Sequence, residues 1–200
     1  MASRYRYDLL APHYDSAMRP LDRWFLGRMR QKAVDLLPKN ARLLEIGAGT
    51  GINFRLYSSS QTGVAAEPSV GMLRVARNKS RPEGLALVQS CAEDLPFTRG
   101  SFDTALATLV LCSVESPQKA LSELRRVVKP GGSIVLLEHV RPGGLLGFVF
   151  DLLNFISVAL LDDHINRRTV DEARAAGLQL VQVEKRLWGI MNLVVCRIPS

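Results

Sequence analysis

A chain of 200 residues with 47% hydrophobic and 22% charged side chains is long enough to bury one core unaided, which excludes disordered, collagen-like and disulfide-scaffold classes. Its three cysteines, Cys91, Cys112 and Cys196, stand far apart with no Cys-x-x-Cys pair, so neither a zinc clamp nor dithiol chemistry is expected and a reducing compartment fits. The 26 Lys and Arg against 19 Asp and Glu leave a net charge of +7, which favours anionic partners such as acidic lipid headgroups or nucleic acid, or simply solvates exposed faces.

Residues 1–20 scatter Arg4, Arg6, Asp8, Asp15 and Arg19 among apolar positions. That pattern lacks the apolar run of a secretory signal, so a cytoplasmic protein is expected. Leu21, Trp24, Phe25, Met29, Val34 and Leu37 then recur near helical spacing and predict a helix over 13–37, ended by Pro38-Lys39-Asn40. Short apolar runs at Arg42–Gly47, Gly63–Glu67, Leu85–Ser90, Phe102–Thr108 and Ser133–Val140 predict strands. Between them lie helical patterns near 51–57, 69–78 and 117–128, the last closed by Lys129-Pro130-Gly131-Gly132. Strands alternating with helices require crossover connections and a parallel, doubly wound sheet. A helix at 167–176 and strands near 178–186 and 190–197 suit a final antiparallel pair. Gly143 to Leu161 is almost wholly apolar, broken by Asp151, Asn154 and Ser157. Spanning a bilayer there would separate the sheet from its last two strands, which leaves a core helix, an interfacial helix or an apolar lid over a site.

The strongest local signal is Leu43-Leu44-Glu45-Ile46-Gly47-Ala48-Gly49-Thr50-Gly51, an apolar strand entering a three-glycine turn that opens a helix. Glycines let the backbone turn tightly and let a ligand approach main-chain atoms. A dinucleotide fingerprint would need its last glycine at Ile52, and a phosphate-binding loop would need Gly-Lys-Ser/Thr where Gly51-Ile52-Asn53 stands. What remains, acidic-x-Gly-x-Gly-x-Gly, resembles the class I S-adenosylmethionine-dependent methyltransferases, and the resemblance runs through nearly the whole chain. It implies an α/β, Rossmann-like, doubly wound and mostly parallel seven-stranded sheet. An N-terminal helical lid (1–40) would precede an S-adenosylmethionine-binding domain (41–200).

The resemblance also implies cofactor contacts. Glu45, Gly47, Ala48, Gly49 and Gly51 would wrap the methionine and ribose, and Glu67, 16 positions beyond Gly51, would accept from both ribose hydroxyls. Pro68 follows it, and Met72 would lie against the adenine. A carboxylate suits the sugar because it only accepts, and does so with two oxygens. Cys91-Ala92-Glu93-Asp94-Leu95-Pro96-Phe97 resembles the adenine-side loop, with Cys91 where relatives carry an aspartate, so contacts fall to Ala92 and Glu93. Thr108 and Leu109, ending the fourth strand, complete the set.

Methyl transfer is an in-line displacement, for which the protein mainly aligns the nucleophile and excludes water. Thr108-Leu109-Val110-Leu111-Cys112-Ser113 stands where base-modifying enzymes carry Asn/Asp-Pro-Pro-Tyr, which argues against nucleic acid. Tyr7-Asp8-Leu9-Leu10-Ala11-Pro12-His13-Tyr14-Asp15 resembles the signature of ubiquinone/menaquinone C-methyltransferases and small bacterial phospholipid N-methyltransferases. It implies a lid with Tyr14, and Tyr5 or Tyr7, near the sulfonium, where an aromatic face attracts a cation; packing of the helix is the alternative. Thr108–Val114, Glu138-His139-Val140 and Asp162–Thr169 resemble the membrane-associated alkyl thiol methyltransferases. His139, at the end of strand five, is the candidate base or acceptor-orienting group, with a structural histidine as the alternative. His13 and His164 are weaker candidates, and Asp162-Asp163-His164 reads as a loop cap; no metal site is expected. The expectation is a methyltransferase for a small, largely apolar acceptor (a lipid headgroup amine, a quinone-type ring or an alkyl thiol), in the cytoplasm or peripheral at an anionic inner membrane face. The alternative is a cofactor-binding regulator or lipid-binding module without turnover.

Overall fold

The computed structural model describes residues 2–139 and 169–199. The segment Gly143–Leu161, His164 and the Asp162-Asp163-His164 cap therefore lie outside the described residues, as does the side chain of Tyr5.

The chain opens with α1 (Ala2–Leu21), a π turn at Asp22–Leu26 and α2 (Gly27–Asp35). The helix expected from residue 13 thus begins eleven residues earlier. Tyr7, Ala11, Tyr14 and Met18 form its inward stripe at steps of three and four. Pro12 lies inside the helix and, lacking an N–H, looks like a boundary in sequence. One added residue in the π turn re-phases the stripe, so that Leu26, Met29, Arg30 and Ala33 are the buried positions beyond it.

Seven strands form one sheet: β1 (Arg42–Ile46), β2 (Thr62–Ala66), β3 (Leu85–Val88), β4 (Phe102–Thr108), β5 (Val128–His139), β6 (Gln179–Arg186) and β7 (Met191–Arg197), in the order β3-β2-β1-β4-β5-β7-β6. The first five are mutually parallel, and β7 runs antiparallel to both β5 and β6. The crossover helices are α3 (Val70–Arg77), α4 (Pro117–Val127) and α5 (Thr169–Ala175). Central strands are covered on both faces, which is why Leu43-Leu44 of β1 and Ala105-Leu106-Ala107 of β4 are consecutive apolar residues rather than alternating ones. One face (Leu44, Ile46, Phe102, Ala105) packs with Leu121 and Leu124 of α4 and Ala173 of α5. The other (Leu43, Ala65, Leu106, Val135) packs with Met29 and Ala33 of α2.

Ile46 aligns with Ala66 on one side and Ala107 on the other. The chain winds outward from β1 in one direction and resumes at β4 in the other, so the crevice of a doubly wound sheet opens beyond the ends of β1, β2 and β4. Two other elements differ from expectation. The pattern at 51–57 folds as a single 3-10 turn, Ile52–Leu56. Strand β5 begins at Val128, passing through Lys129-Pro130-Gly131-Gly132, because Val128 pairs with Phe102 before a bulge.

Candidate active site

The loop leaving β1 places Gly47, Gly49 and Gly51 at φ of 61°, 56° and 78°, a left-handed region that only glycine enters without strain. A Cβ on Gly47 would meet Val110 Cγ2 at 2.4 Å, and one on Gly51 would meet the Phe54 ring at 2.4 Å. A Cβ on Gly49 would find nothing within 4 Å, because that side faces open space.

Glu67 directly follows β2 beside this loop, 7% exposed. Its Oε2 accepts from the Gly49 N–H and its Oε1 from the Ser69 N–H, both at 2.9 Å. Burial pushes its carboxyl up from the ordinary value, and those two amide bonds oppose the rise. Each oxygen keeps a further lone pair. Ser69 also caps α3, its Oγ accepting from Met72 N at 3.0 Å, which fixes the helix that carries Met72.

Under the loop runs a buried polar network. Asn53 Nδ2 donates to Glu45 Oε1 at 2.7 Å and to Thr108 Oγ1 at 3.0 Å. Arg30 Nη1, reaching in from α2, donates to Thr108 Oγ1 at 2.9 Å and Asn53 Oδ1 at 3.2 Å, while its Nε donates to Asp22 Oδ1 at 3.2 Å. Burial raises the Glu45 carboxyl, opposed by Asn53 and by the charge of Arg30.

Beyond β4, Leu109 adopts φ of 60°, a strained choice for a side chain of its size. It is over-determined by its neighbours: Leu109 N donates to Leu137 O at 2.7 Å, and the N–H groups of Val110 and Leu111 donate to Glu138 Oε1 at 3.0 and 3.1 Å. The open side is covered by α1, fastened at two points. Asp8 accepts from the Ser69 hydroxyl at 2.5 Å and the Gly71 N–H at 2.7 Å, bonds that hold its carboxyl below the ordinary range. Gly71 permits that approach, since a Cβ there would lie 2.8 Å from Asp8 Cα. About two turns further along α1, Asp15 accepts from the Thr50 hydroxyl at 2.5 Å and pairs with Lys79.

These elements enclose a cavity of about 380 Å3, in the range of small-ligand sites. Of the expected residues, Gly47, Ala48, Gly49, Glu67, Pro68, Met72, Ala92, Glu93, Thr108, Leu109 and Tyr14 line it, together with Tyr7 and Cys91. Glu45 lies beneath the floor, held by Asn53. Gly51 faces a second hollow. His139 closes β5, half-buried, and is not one of the described residues that line the cavity. Strand alternation puts it on the sheet face opposite Glu138, the face of Val135 and Leu137. His13 is exposed on α1. Glu93 also ties the loop before α4, accepting from Glu115 N at 2.9 Å.

Sequence reasoning missed Arg30, Asn53, Asp8 and Asp15. The two aspartates carried a signal: the Tyr-Asp pairs at 7–8 and 14–15 are seven apart, hence on one helix face. Chemically the site offers a carboxylate with two acceptor positions for a vicinal diol, a largely apolar slot at Met72, Ala92 and Leu109 for a flat ring, and two tyrosines at the covering helix.

A family model described as a methyltransferase domain matches residues 44–136. A demethylmenaquinone methyltransferase of Thermus thermophilus is 35% identical over 149 residues, covering 70% of this chain and 68% of that protein. One from Renibacterium salmoninarum is 35% identical over 139 residues, 68% of this chain and 58% of that protein. The human thiol S-methyltransferase TMT1B is 39% identical over 115 residues (54% and 47%), and the phosphatidylethanolamine N-methyltransferase of Cereibacter sphaeroides 34% identical over 114 (55% and 56%). The chain thus spans about half to two thirds of the length of these curated relatives. Among solved structures, an S-adenosylmethionine-dependent methyltransferase from Thermotoga maritima superimposes with a TM-score of 0.75 at 24% identity, covering 98% of this chain and 99% of that one.

Proposed function

The chain belongs to the methyltransferase family, and on that premise we propose that it transfers the methyl group of S-adenosylmethionine to a small, largely apolar acceptor. The observation that carries this reading is Glu67: a buried carboxylate, aimed by the Gly49 and Ser69 amides at 2.9 Å each, with its remaining lone pairs free for two ribose hydroxyls. Gly49, open on its cavity side, admits the sugar and methionine close to the backbone. Met72, Ala92 and Leu109 suit the adenine.

When bound, the cofactor supplies an electrophilic methyl on a sulfonium. The chain's own part is alignment and exclusion of water. Arg30, Asn53 and Thr108 hold the floor, and α1 covers the mouth through Asp8 and Asp15. Tyr14, with Tyr7, is the proposed aromatic group beside the sulfonium. His139 is the proposed orienting group for an acceptor that extends past Leu109 toward the end of β5. The lining also includes Val110 and Val114, apolar side chains that suit a quinone-type ring, an alkyl thiol or the headgroup of a lipid, the three substrate kinds for which the relatives are named. Among the described residues no helix is long and apolar enough to cross a membrane; a cytoplasmic enzyme meeting lipid-borne acceptors at the membrane surface fits this reading.

The test mixes pure protein with methyl-labelled S-adenosylmethionine and, separately, phospholipid, quinone-precursor and alkyl-thiol fractions. Label in one fraction is the expected result and names the acceptor class. Tight cofactor binding with no label in any fraction would replace the enzyme by the non-catalytic binder.

A further inference from the structure

The end of α1 and the π turn leave Leu21 and Trp24 at 56% and 87% exposure, next to Arg19, Arg23 and Arg28, which are exposed as well. An indole this open to water forgoes the apolar contact that its large body favours. Beside it lies the second hollow, about 600 Å3, lined by Arg19, Arg23, Arg55 and Lys79 with Asp15 and Asp22 as the carboxylates. Both carboxylates are committed, Asp15 to Lys79 and Asp22 to Arg30. Arg19, Arg23 and Arg55 form no ion pair among the described residues, so the hollow presents three uncompensated guanidinium groups, with Leu21 and Trp24 close to Arg23 along the chain. Ile52 lines both this hollow and the cofactor cavity, which makes the two neighbours across one side chain.

We propose that this face seats the protein on an anionic bilayer, with Trp24 and Leu21 at the boundary of headgroups and acyl chains and Arg19, Arg23 and Arg55 on lipid phosphates. Tryptophan and arginine both suit that depth, an amphipathic ring and a long stem with a charged head. The aliphatic Leu21 beside Trp24 distinguishes acyl chains from nucleotide bases, which would stack only on the indole. The inference deepens the reading above by stating where a lipid-borne acceptor would be met, next to Ile52, yet it stands or falls on vesicle binding rather than on methyl transfer.

The test uses the full chain with phosphatidylcholine vesicles containing roughly one third phosphatidylglycerol, against pure phosphatidylcholine. Wild type is expected to cosediment with the anionic vesicles alone, to release them in high salt, and to shift its tryptophan emission to the blue. Arg19→Gln/Arg23→Gln should weaken binding about twenty-fivefold, from about fivefold per basic residue near an anionic leaflet. Trp24→Ala should abolish the blue shift, which separates Trp24 from Trp188. Both variants should bind S-adenosylmethionine by calorimetry as wild type does, so that their loss cannot be laid to a broken cofactor site. No cosedimentation, undiminished binding by the arginine pair variant, or a full blue shift in Trp24→Ala would overturn the proposal. So would binding of single-stranded RNA, but not vesicles, through the same arginines.

Discussion

Replacing Glu67 by glutamine changes no volume and removes one acceptor. Both carboxylate oxygens face backbone N–H groups, Gly49 at Oε2 and Ser69 at Oε1; a carboxamide has one oxygen, so its NH2 must confront one of those donors. In the cofactor-free protein the lost charge-assisted bond, about 1.5–3 kcal/mol, is largely offset because an unwelcome buried charge disappears, the same burial that raises this carboxyl. The melting temperature should therefore move by only about 2–4 °C, equivalent to about 1 kcal/mol. The ligand gains no such offset. Loss of a charged partner for its hydroxyls is worth about 1.5–3 kcal/mol, or about 10- to 150-fold in affinity. Calorimetry with S-adenosylmethionine, run beside a thermal melt, checks both halves. An unchanged dissociation constant would remove Glu67 from the sugar site, and a collapse of the melt would show that the amide bonds to Gly49 and Ser69 serve folding first.

The two neighbouring glycines should fail differently. Gly47→Ala drives a Cβ to 2.4 Å from Val110, whose backbone is bound to Glu138, and should cost about 2–4 kcal/mol with a melting drop of about 5–15 °C; Gly49→Ala meets no atom and should cost about 1 kcal/mol while still weakening cofactor binding, so equal melts for the two would refute the packing account. Acidification should split stability from binding. Burial holds Glu45 and Glu67 above the ordinary 4.5, so their protonation favours the folded cofactor-free protein: that contribution is complete below 4.5 and is lost as pH rises through the higher folded values. The cofactor-free melt should thus rise on descending from neutral pH toward 4.5, while S-adenosylmethionine affinity falls as Glu67 takes up its proton. Below that window, Asp8, Asp103, Glu123 and Glu184, each held low by hydrogen bonds, should reverse the trend; an affinity flat across the window would contradict the role given to Glu67.

The sheet was legible because apolar runs such as Leu43–Ile46 and Ala105–Ala107 are bounded by glycine and polar turns, and because the loop at Gly47, Gly49 and Gly51 excludes other glycine motifs by spacing alone. Glu67, Met72 and Thr108 were legible as cavity residues through the family resemblance, which the spacing of Glu67 from that loop supported. Arg30 was not. It stands in a run of Arg19, Arg23 and Arg28, where a solvated face is the ordinary expectation, and its burial follows from partners that the fold brings in, Asn53 and, 78 positions away, Thr108. Glu138 was hidden for the same reason: its hold on Val110 and Leu111 depends on the pairing of β4 with β5. The helix before residue 13 was masked by Pro12 and by polar residues that turn out to be its fastenings.

Glu138 also fixes the character of the wall that the proposed acceptor would meet. Val110 and Leu111 take their order from a carboxylate on the next strand, so that wall is expected to keep its contour when the cavity fills. A guest therefore brings no ordering penalty there and obtains no accommodation either. On the proposed reading, selection among acceptors on that side would be by outline, with tolerance of odd shapes left to the helical cover across the gap.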